Sequence, residues 1–103
     1  MTVFEDRKKQ FEEQFRHEQD LHFRITARAN RMFGEWAAAR LDLTGAEADD
    51  YAEAVVHAQF DKPDVVAKVH ADFQAKGVPT TERELRSQLA SLKRSARRQV
   101  MTA

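Results

Sequence analysis

The sequence of 103 residues predicts an all-α protein, a four-helix bundle that carries a mobile amphipathic helical arm at its N-terminus. Apolar residues recur at spacings of three and four along the whole chain, which is the period of an α-helix. No stretch alternates Val, Ile or Thr with polar residues, as a half-buried strand would. The chain has three glycines and two prolines, and its helical pattern breaks at residues 43–45, 61–63 and 76–80.

The first predicted helix is long and covers residues 3–41; the others cover residues 45–60, 63–76 and 81–100. Two Thr–Glu pairs have the spacing of a capping box, in which hydroxyl and carboxylate each accept a backbone N–H: Thr44 with Glu47, and Thr81 with Glu84. Pro63 suits the first helical position, and Gly77 suits the left-handed residue after a helix end.

The three shorter helices each carry an apolar face of the kind that forms a core. These residues are Tyr51, Val55, Val56 and Phe60, then Val66, Val69 and Phe73, then Leu85, Leu89, Leu92 and Val100. Tyr51 is the single tyrosine, and a phenol can serve as an acid in catalysis. An amphipathic ring at the edge of a core is the favoured interpretation.

The long first helix has two apolar stripes. On a helical wheel one contains Leu21, Ile25, Met32 and Trp36, and the other contains Phe4, Phe11 and Phe15, rotated by roughly 70°. A straight helix cannot direct both stripes squarely at one core. We therefore predict two parts, an N-terminal arm over residues 1–20 and a four-helix bundle over residues 21–103.

The predicted arm is polar except for its phenylalanines, and an isolated helix of this length is marginal in water. Thr2 and Glu5 have capping-box spacing, so the docked form is expected to be helical. Burial of three Phe rings contributes roughly 5 to 9 kcal/mol, against an ordering cost of about 2 to 5 kcal/mol. Docking into the groove of a partner is therefore feasible. The periodicity does not separate this from an arm folded back on its own bundle.

Composition excludes several classes of protein. Lys and Arg number 17, as do Asp and Glu, so the formal net charge is zero. Charge alternates by segment, which favours basic helices packing beside acidic ones over a nucleic-acid interface.

The absence of cysteine excludes disulfides and thiolate sites. No apolar run reaches the roughly 20 residues of a membrane span, and no signal-peptide core is present, so we expect a cytoplasmic protein without membrane insertion.

No catalytic or metal-binding pattern emerges. His17 and His22 are about 140° apart on a helix, too far to share a metal ion, and His57 and His70 lie on different helices. There is no phosphate-binding glycine loop and no nucleophile motif. We therefore expect a protein that is not an enzyme, with no catalytic residues, no metal and no cofactor.

Two rival interpretations remain. A nucleic-acid-binding or adaptor module would use the basic residues of the last helix, Lys93, Arg94, Arg97 and Arg98, although cations in the last turns also complement the helix dipole. A small ligand, such as a nucleotide, would use a cleft between the basic and acidic helices. No motif supports that second alternative, and weak nucleotide binding is left open.

Several motifs resemble the zeta subunit, the inhibitor protein of alphaproteobacterial F-type ATP synthases. They are Phe4-Glu5-Asp6-Arg7, Phe11-Glu12 with Phe15 and His17, Phe23-Arg24, Ala27-Arg28, Asn30-Arg31, Gly34 and Trp36-Ala37-Ala38. The resemblance extends over essentially the whole chain and is most specific in the first 40 residues. Ala29 and Met32-Phe33 stand where that family commonly has paired basic residues and aliphatics, a mild departure within the bundle.

The resemblance implies an inhibitory helix that enters the catalytic alpha/beta interface of the ATP synthase, next to the gamma rotor, and blocks ATP hydrolysis more than synthesis. It implies a location at the cytoplasmic side of the inner membrane, through the enzyme. The predicted partner-binding residues are Phe4, Phe11 and Phe15 as apolar anchors, and Asp6, Arg7, Lys8 and Glu12 as charged contacts. Lys9 and Glu13 are further candidates for charged contacts.

Overall fold

A computed structural model describes residues 3–61 and 64–102, apart from the side chain of residue 4. Four α-helices follow one another: α1 (Val3–Arg40), α2 (Gly45–His57), α3 (Val65–Lys76) and α4 (Glu82–Thr102), with a 3-10 turn, Ala58–Phe60, directly after α2. The described residues form no strand, and the all-α prediction is confirmed. The long helix α1 packs against both α2 and α4, and α3 packs mainly on α4.

The start of α3 differs from the prediction. Asp64 is its N-cap, and the Asp64 carboxylate accepts a hydrogen bond of 3.0 Å from the backbone N–H of Ala67. That bond, assisted by the guanidinium of Arg86, holds the pKa of Asp64 below its usual range. The helix therefore begins at Val65, while the predicted starting residue, Pro63, lies outside the described residues. At the other end Gly77 adopts the predicted left-handed conformation, with φ of 76°.

The two predicted capping boxes have different outcomes. Thr81 Oγ1 accepts a hydrogen bond of 3.1 Å from the N–H of Glu84, as predicted, but the Glu84 carboxylate pairs with the hydroxyl of Thr80. Thr44 occupies the N-cap position of α2 with extended backbone, yet its side chain makes no capping bond. The spacing therefore predicts both helix starts correctly, but among the described residues only one of the two bonds of the Thr81 box forms, and the Thr44 side chain makes no capping bond. The third pair involves Thr2, which lies outside the described residues.

The core consists of two connected clusters. The larger joins all four helices and includes Phe33, Val55, Val69, Phe73 and Leu85. The smaller joins Ile25 and Ala29 of α1 to Ala96 of α4. The predicted core face of α3 is confirmed. Phe60 is a correction, because it is 70% exposed: it lies in the 3-10 turn, where the period of 3.6 residues no longer holds.

The buried face of α1 also differs from the predicted stripe. Ala29, Phe33 and Ala37 are fully buried, whereas Leu21, Met32 and Trp36 are only partly buried. Alanines contribute little to an apolar pattern, but they let neighbouring helices approach closely. At Gly34 a Cβ atom would lie 2.7 Å from Cα of Ala52 in α2, so contact between the two backbones defines this side of α1.

Candidate partner-binding site

The N-terminal half of α1 extends beyond the rest of the protein. Every described side chain from residue 3 to residue 20 is exposed. The last turns of α4 reach α1 at Arg28, whose Nε donates to Oε1 of Gln99 at 2.8 Å. Residues 3–20 therefore project about 27 Å past the bundle at 1.5 Å per residue, within a molecule whose longest dimension is 64 Å. In this conformation the segment is not folded back on the bundle.

The phenylalanines of the segment form an exposed stripe. Phe11 is 71% exposed and Phe15 is 52% exposed, and residues four apart in a helix are neighbours on one face. Phe15 lies about five helical turns before the buried Phe33, and Phe11 lies the same distance before the buried Ala29. The phenylalanine stripe thus lies on the same side of α1 as the core. The helical wheel had predicted that the two would be rotated from each other. The side chain of Phe4 lies outside the described residues.

The predicted charged contacts surround this stripe. Asp6, Arg7, Lys8 and Glu12 are all exposed, and within the described residues none of them forms an ion pair or a hydrogen bond. Glu5 and Asp6 lie in the first turn of α1, where acidic groups complement the positive end of the helix dipole. The four charged side chains are therefore available to a partner.

One exposed aromatic residue was missed as a site residue. Phe23 is 56% exposed and, with Phe15, His22 and Thr26, borders a shallow concavity of about 560 Å³ on α1. At the inner end of this surface the Thr26 Oγ1 atom is buried and has no hydrogen-bond partner in the described part of the chain. The spacing of Phe11, Phe15 and Phe23 in multiples of four was the signal that could have identified Phe23. The exposed aromatic surface therefore continues past residue 20.

Tyr51, the residue that could serve as an acid in catalysis, instead lies in a hydrogen-bonded contact within the bundle. Tyr51 donates a hydrogen bond of 2.8 Å to Oδ2 of Asp72, which also accepts one of 3.1 Å from Nζ of Lys68. Burial, together with the hydrogen bond to Asp72, raises the pKa of Tyr51 far above its ordinary value, so the phenol stays protonated at neutral pH. Among residues 3–61 and 64–102 no group of three or more metal-binding side chains comes together.

Comparison with known proteins bears on what this exposed helix is for. The sequence profile of the family described as ATPase inhibitor subunit zeta matches residues 1–99. This chain belongs to the ATPase inhibitor subunit zeta family. Searches of curated proteins and of solved structures gave no significant match. Because the match covers nearly the whole chain, the exposed helix and the bundle are both parts of one zeta-family protein.

Membership of the zeta family places the protein among regulatory subunits. The family consists of inhibitor subunits, which implies association with the ATP synthase. No helix in the described part of this zeta-family chain is both long enough and apolar enough to cross a membrane. The surface most available for contact with another protein is the projecting half of α1.

Proposed function

We propose that this protein inhibits ATP hydrolysis by the F-type ATP synthase through its N-terminal arm, residues 1–20, while the bundle, residues 21–103, stays outside the catalytic sector. The arm inserts as a helix into the catalytic alpha/beta interface next to the gamma subunit and blocks rotation in the hydrolysis direction. The observation that carries the proposal is an exposed helix, with an apolar stripe, in a chain of the inhibitor family.

The apolar stripe supplies the affinity. Phe11 and Phe15 leave most of their ring surface in water, and burial of a Phe side chain contributes about 1.5 to 3 kcal/mol. Phe4 is proposed as a third anchor. Because residues 3–20 continue a helix that the bundle already nucleates, the ordering cost of docking is lower than for a separate peptide. This is recognition of a helix in an apolar groove.

The charged residues of the arm set the position of its helix along the groove of the partner. Asp6, Arg7, Lys8 and Glu12 have no partner among the described residues, so docking breaks no ion pair there. Complementary charges along the groove select one position and one orientation of the helix, and contribute more to specificity than to affinity. The proposed inhibitor performs no chemistry of its own and is held at the inner membrane only through the enzyme.

Deletion of residues 2–18 tests the proposal directly. The truncated protein should keep the thermal stability of the bundle and lose inhibition of ATP hydrolysis by the purified catalytic sector. Full inhibition by the truncated protein would show that the arm is not the inhibitory element.

A pair of single substitutions refines the test. Phe11→Ala should weaken inhibition at least tenfold, which corresponds to about 1.4 kcal/mol, because one anchor is lost. Phe60→Ala removes a ring of similar exposure, 70% against 71%, from a turn outside the arm and should leave inhibition unchanged. Equal effects of the two variants would contradict the assignment of the arm as the contact surface.

A further inference from the structure

A groove between α1 and α4 is lined by cations that have no partner among the described residues. His22 and Ile25 of α1 and Lys93, Arg94 and Arg97 of α4 border this basic groove, which encloses about 290 Å³. The Lys and Arg side chains are exposed. In the part of the chain that the structure describes, none of these three forms a hydrogen bond or an ion pair.

The expected matching of charge between helices is therefore absent here. Of the ion pairs among the described residues, one joins two helices, Arg86 with Asp64 at 3.4 Å, and it lies on the first half of α4. Asp20, the acid nearest to the groove in sequence, pairs with Arg24 at 3.1 Å, and within the described residues neither Asp20 nor Glu18 forms an ion pair with a groove cation. The groove keeps its positive charge.

The helix dipole does not account for this cluster. A cation is stabilised by the dipole only within the last turn of a helix. Arg97 lies more than one turn before the end of α4 at Thr102, and Lys93 lies more than two turns before it. Three cations that have no partner in the described structure and share one groove therefore favour a ligand with negative charge.

The basic groove is continuous with the aromatic surface of the arm. His22 lines both the basic groove and the concavity formed with Phe15 and Phe23. A protein surface that covers both Phe15 and His22 therefore lies beside Lys93 and Arg97. An apolar surface followed at once by cations is suited to a protein partner rather than to a nucleic acid, whose phosphates run along the whole contact.

We propose that the basic groove is a second contact with the ATP synthase and that it takes an acidic segment of that enzyme, with carboxylates seated between Lys93 and Arg97. This inference rests on the proposed function of the arm. The contact orients the bundle while the arm enters its interface. Since exposed charge pairs act chiefly on the rate of encounter, the groove accelerates association, most strongly at low ionic strength.

Charge reversal within α4 tests the proposal with the full chain. Arg97→Glu and Arg83→Glu change the net charge equally, and both arginines are exposed on the same helix without a partner among the described residues. Arg83 lies at the opposite end of α4 from the groove. We expect Arg97→Glu to slow association with the purified catalytic sector about tenfold at low ionic strength and to flatten its salt dependence. Arg83→Glu should change the rate less than about twofold.

Lys93→Glu provides a second groove variant, further from the helix end, and circular dichroism checks that each variant is folded. Equal rates for Arg97→Glu and Arg83→Glu would overturn the proposal. So would duplex DNA binding that Arg97→Glu abolishes while association with the enzyme is unchanged. If the wild-type protein neither binds nor inhibits the enzyme, the proposed function itself is wrong. If Phe11→Ala loses inhibition while both groove variants associate at the wild-type rate, only the groove assignment is wrong.

Discussion

Phe15 and Phe33 are the same residue on the same side of one helix, about five turns apart, and their surroundings are opposite. Phe33 is fully buried and stacks on Trp36 with 5.8 Å between ring centroids, whereas Phe15 is 52% exposed. The difference lies in what packs on each half of α1, because α4 covers Ile25 and Ala29 through Ala96, whereas nothing in the described structure covers residues 3–20. The exposed continuation of this core face is the surface that we propose for contact with another protein.

The largest expected effect comes from truncation of the buried ring. Phe33→Ala should lower the free energy of unfolding by about 3 to 5 kcal/mol, because it leaves a cavity among all four helices. Phe15→Ala is the matched control on the same face and should change it by less than about 0.5 kcal/mol. Urea denaturation followed by circular dichroism measures both. A comparable loss for the two variants would mean that Phe15 packs on the bundle in solution.

A smaller effect is expected at the contact between α1 and α2. Gly34→Ala places a methyl group 2.7 Å from Cα of Ala52, and overpacking of this kind costs about 1 to 3 kcal/mol. The gain in helix propensity offsets about 1 kcal/mol of that cost. Because the clash is with the backbone, Ala52→Gly in the same chain should not restore stability. If denaturation shows that Ala52→Gly restores stability, the clash is with the side chain of Ala52 instead.

The free energy of unfolding of the bundle should depend on pH in the alkaline range, because of Tyr51. Burial raises the pKa of Tyr51 above its ordinary value near 10. The folded protein therefore holds a proton that the unfolded chain releases, and the stabilisation is complete below about pH 10 and is lost as the pH rises further. Denaturation at pH 9 and pH 11.5 should show a smaller loss for Tyr51→Phe than for the wild type.

At neutral pH, Tyr51→Phe should cost only about 0.5 to 1.5 kcal/mol, since Asp72 keeps its hydrogen bond from Lys68. As this is the single tyrosine, the ultraviolet absorbance of the phenolate reports its titration directly. A phenol that ionises near pH 10 in the folded protein would contradict the buried contact with Asp72.

The smallest effect on stability is expected within the arm. Gln10→Pro interrupts α1 far from the bundle, and it should change the global free energy of unfolding by less than about 0.5 kcal/mol, although it should abolish inhibition. Arg31→Pro makes the same change beside the core and should lower the free energy of unfolding by about 3 kcal/mol. Thermal melts and ATP hydrolysis assays separate the two. A large loss of stability for Gln10→Pro would show that the arm contributes to the fold.

Much of the local structure was predictable because it depends on short-range chemistry. The four helices, the left-handed Gly77 and the bond from Glu84 N–H to Thr81 follow from residues close in sequence. The free hydroxyl of Thr44 and the exposed ring of Phe60 do not. Thr44 has the spacing of a helix cap, and Phe60 has the spacing of a core residue. At both positions the conformation of the neighbouring turn prevents the predicted contact.

The candidate site was predictable in composition but not in orientation. The sequence singles out Phe11 and Phe15 and their charged neighbours as the proposed contact surface of the arm, but it does not single out Phe23. The wheel gave most weight to Met32 and Trp36, since large apolar residues dominate a periodic pattern. The structure buries Ala29 and Ala37 instead, which brings the phenylalanine stripe into register with the core.

The sequence alone predicts that this chain is helical, where its helices break, and that its N-terminal residues combine three phenylalanines with a high density of charges of both signs. These properties follow from local periodicity and turn chemistry. The buried side of α1, and the lack of partners for cations of α4 among the described residues, emerge only from the packing of the helices, because both depend on residues far apart in sequence that meet across helices. Where α4 ends, the same face of α1 changes from core to exposed surface.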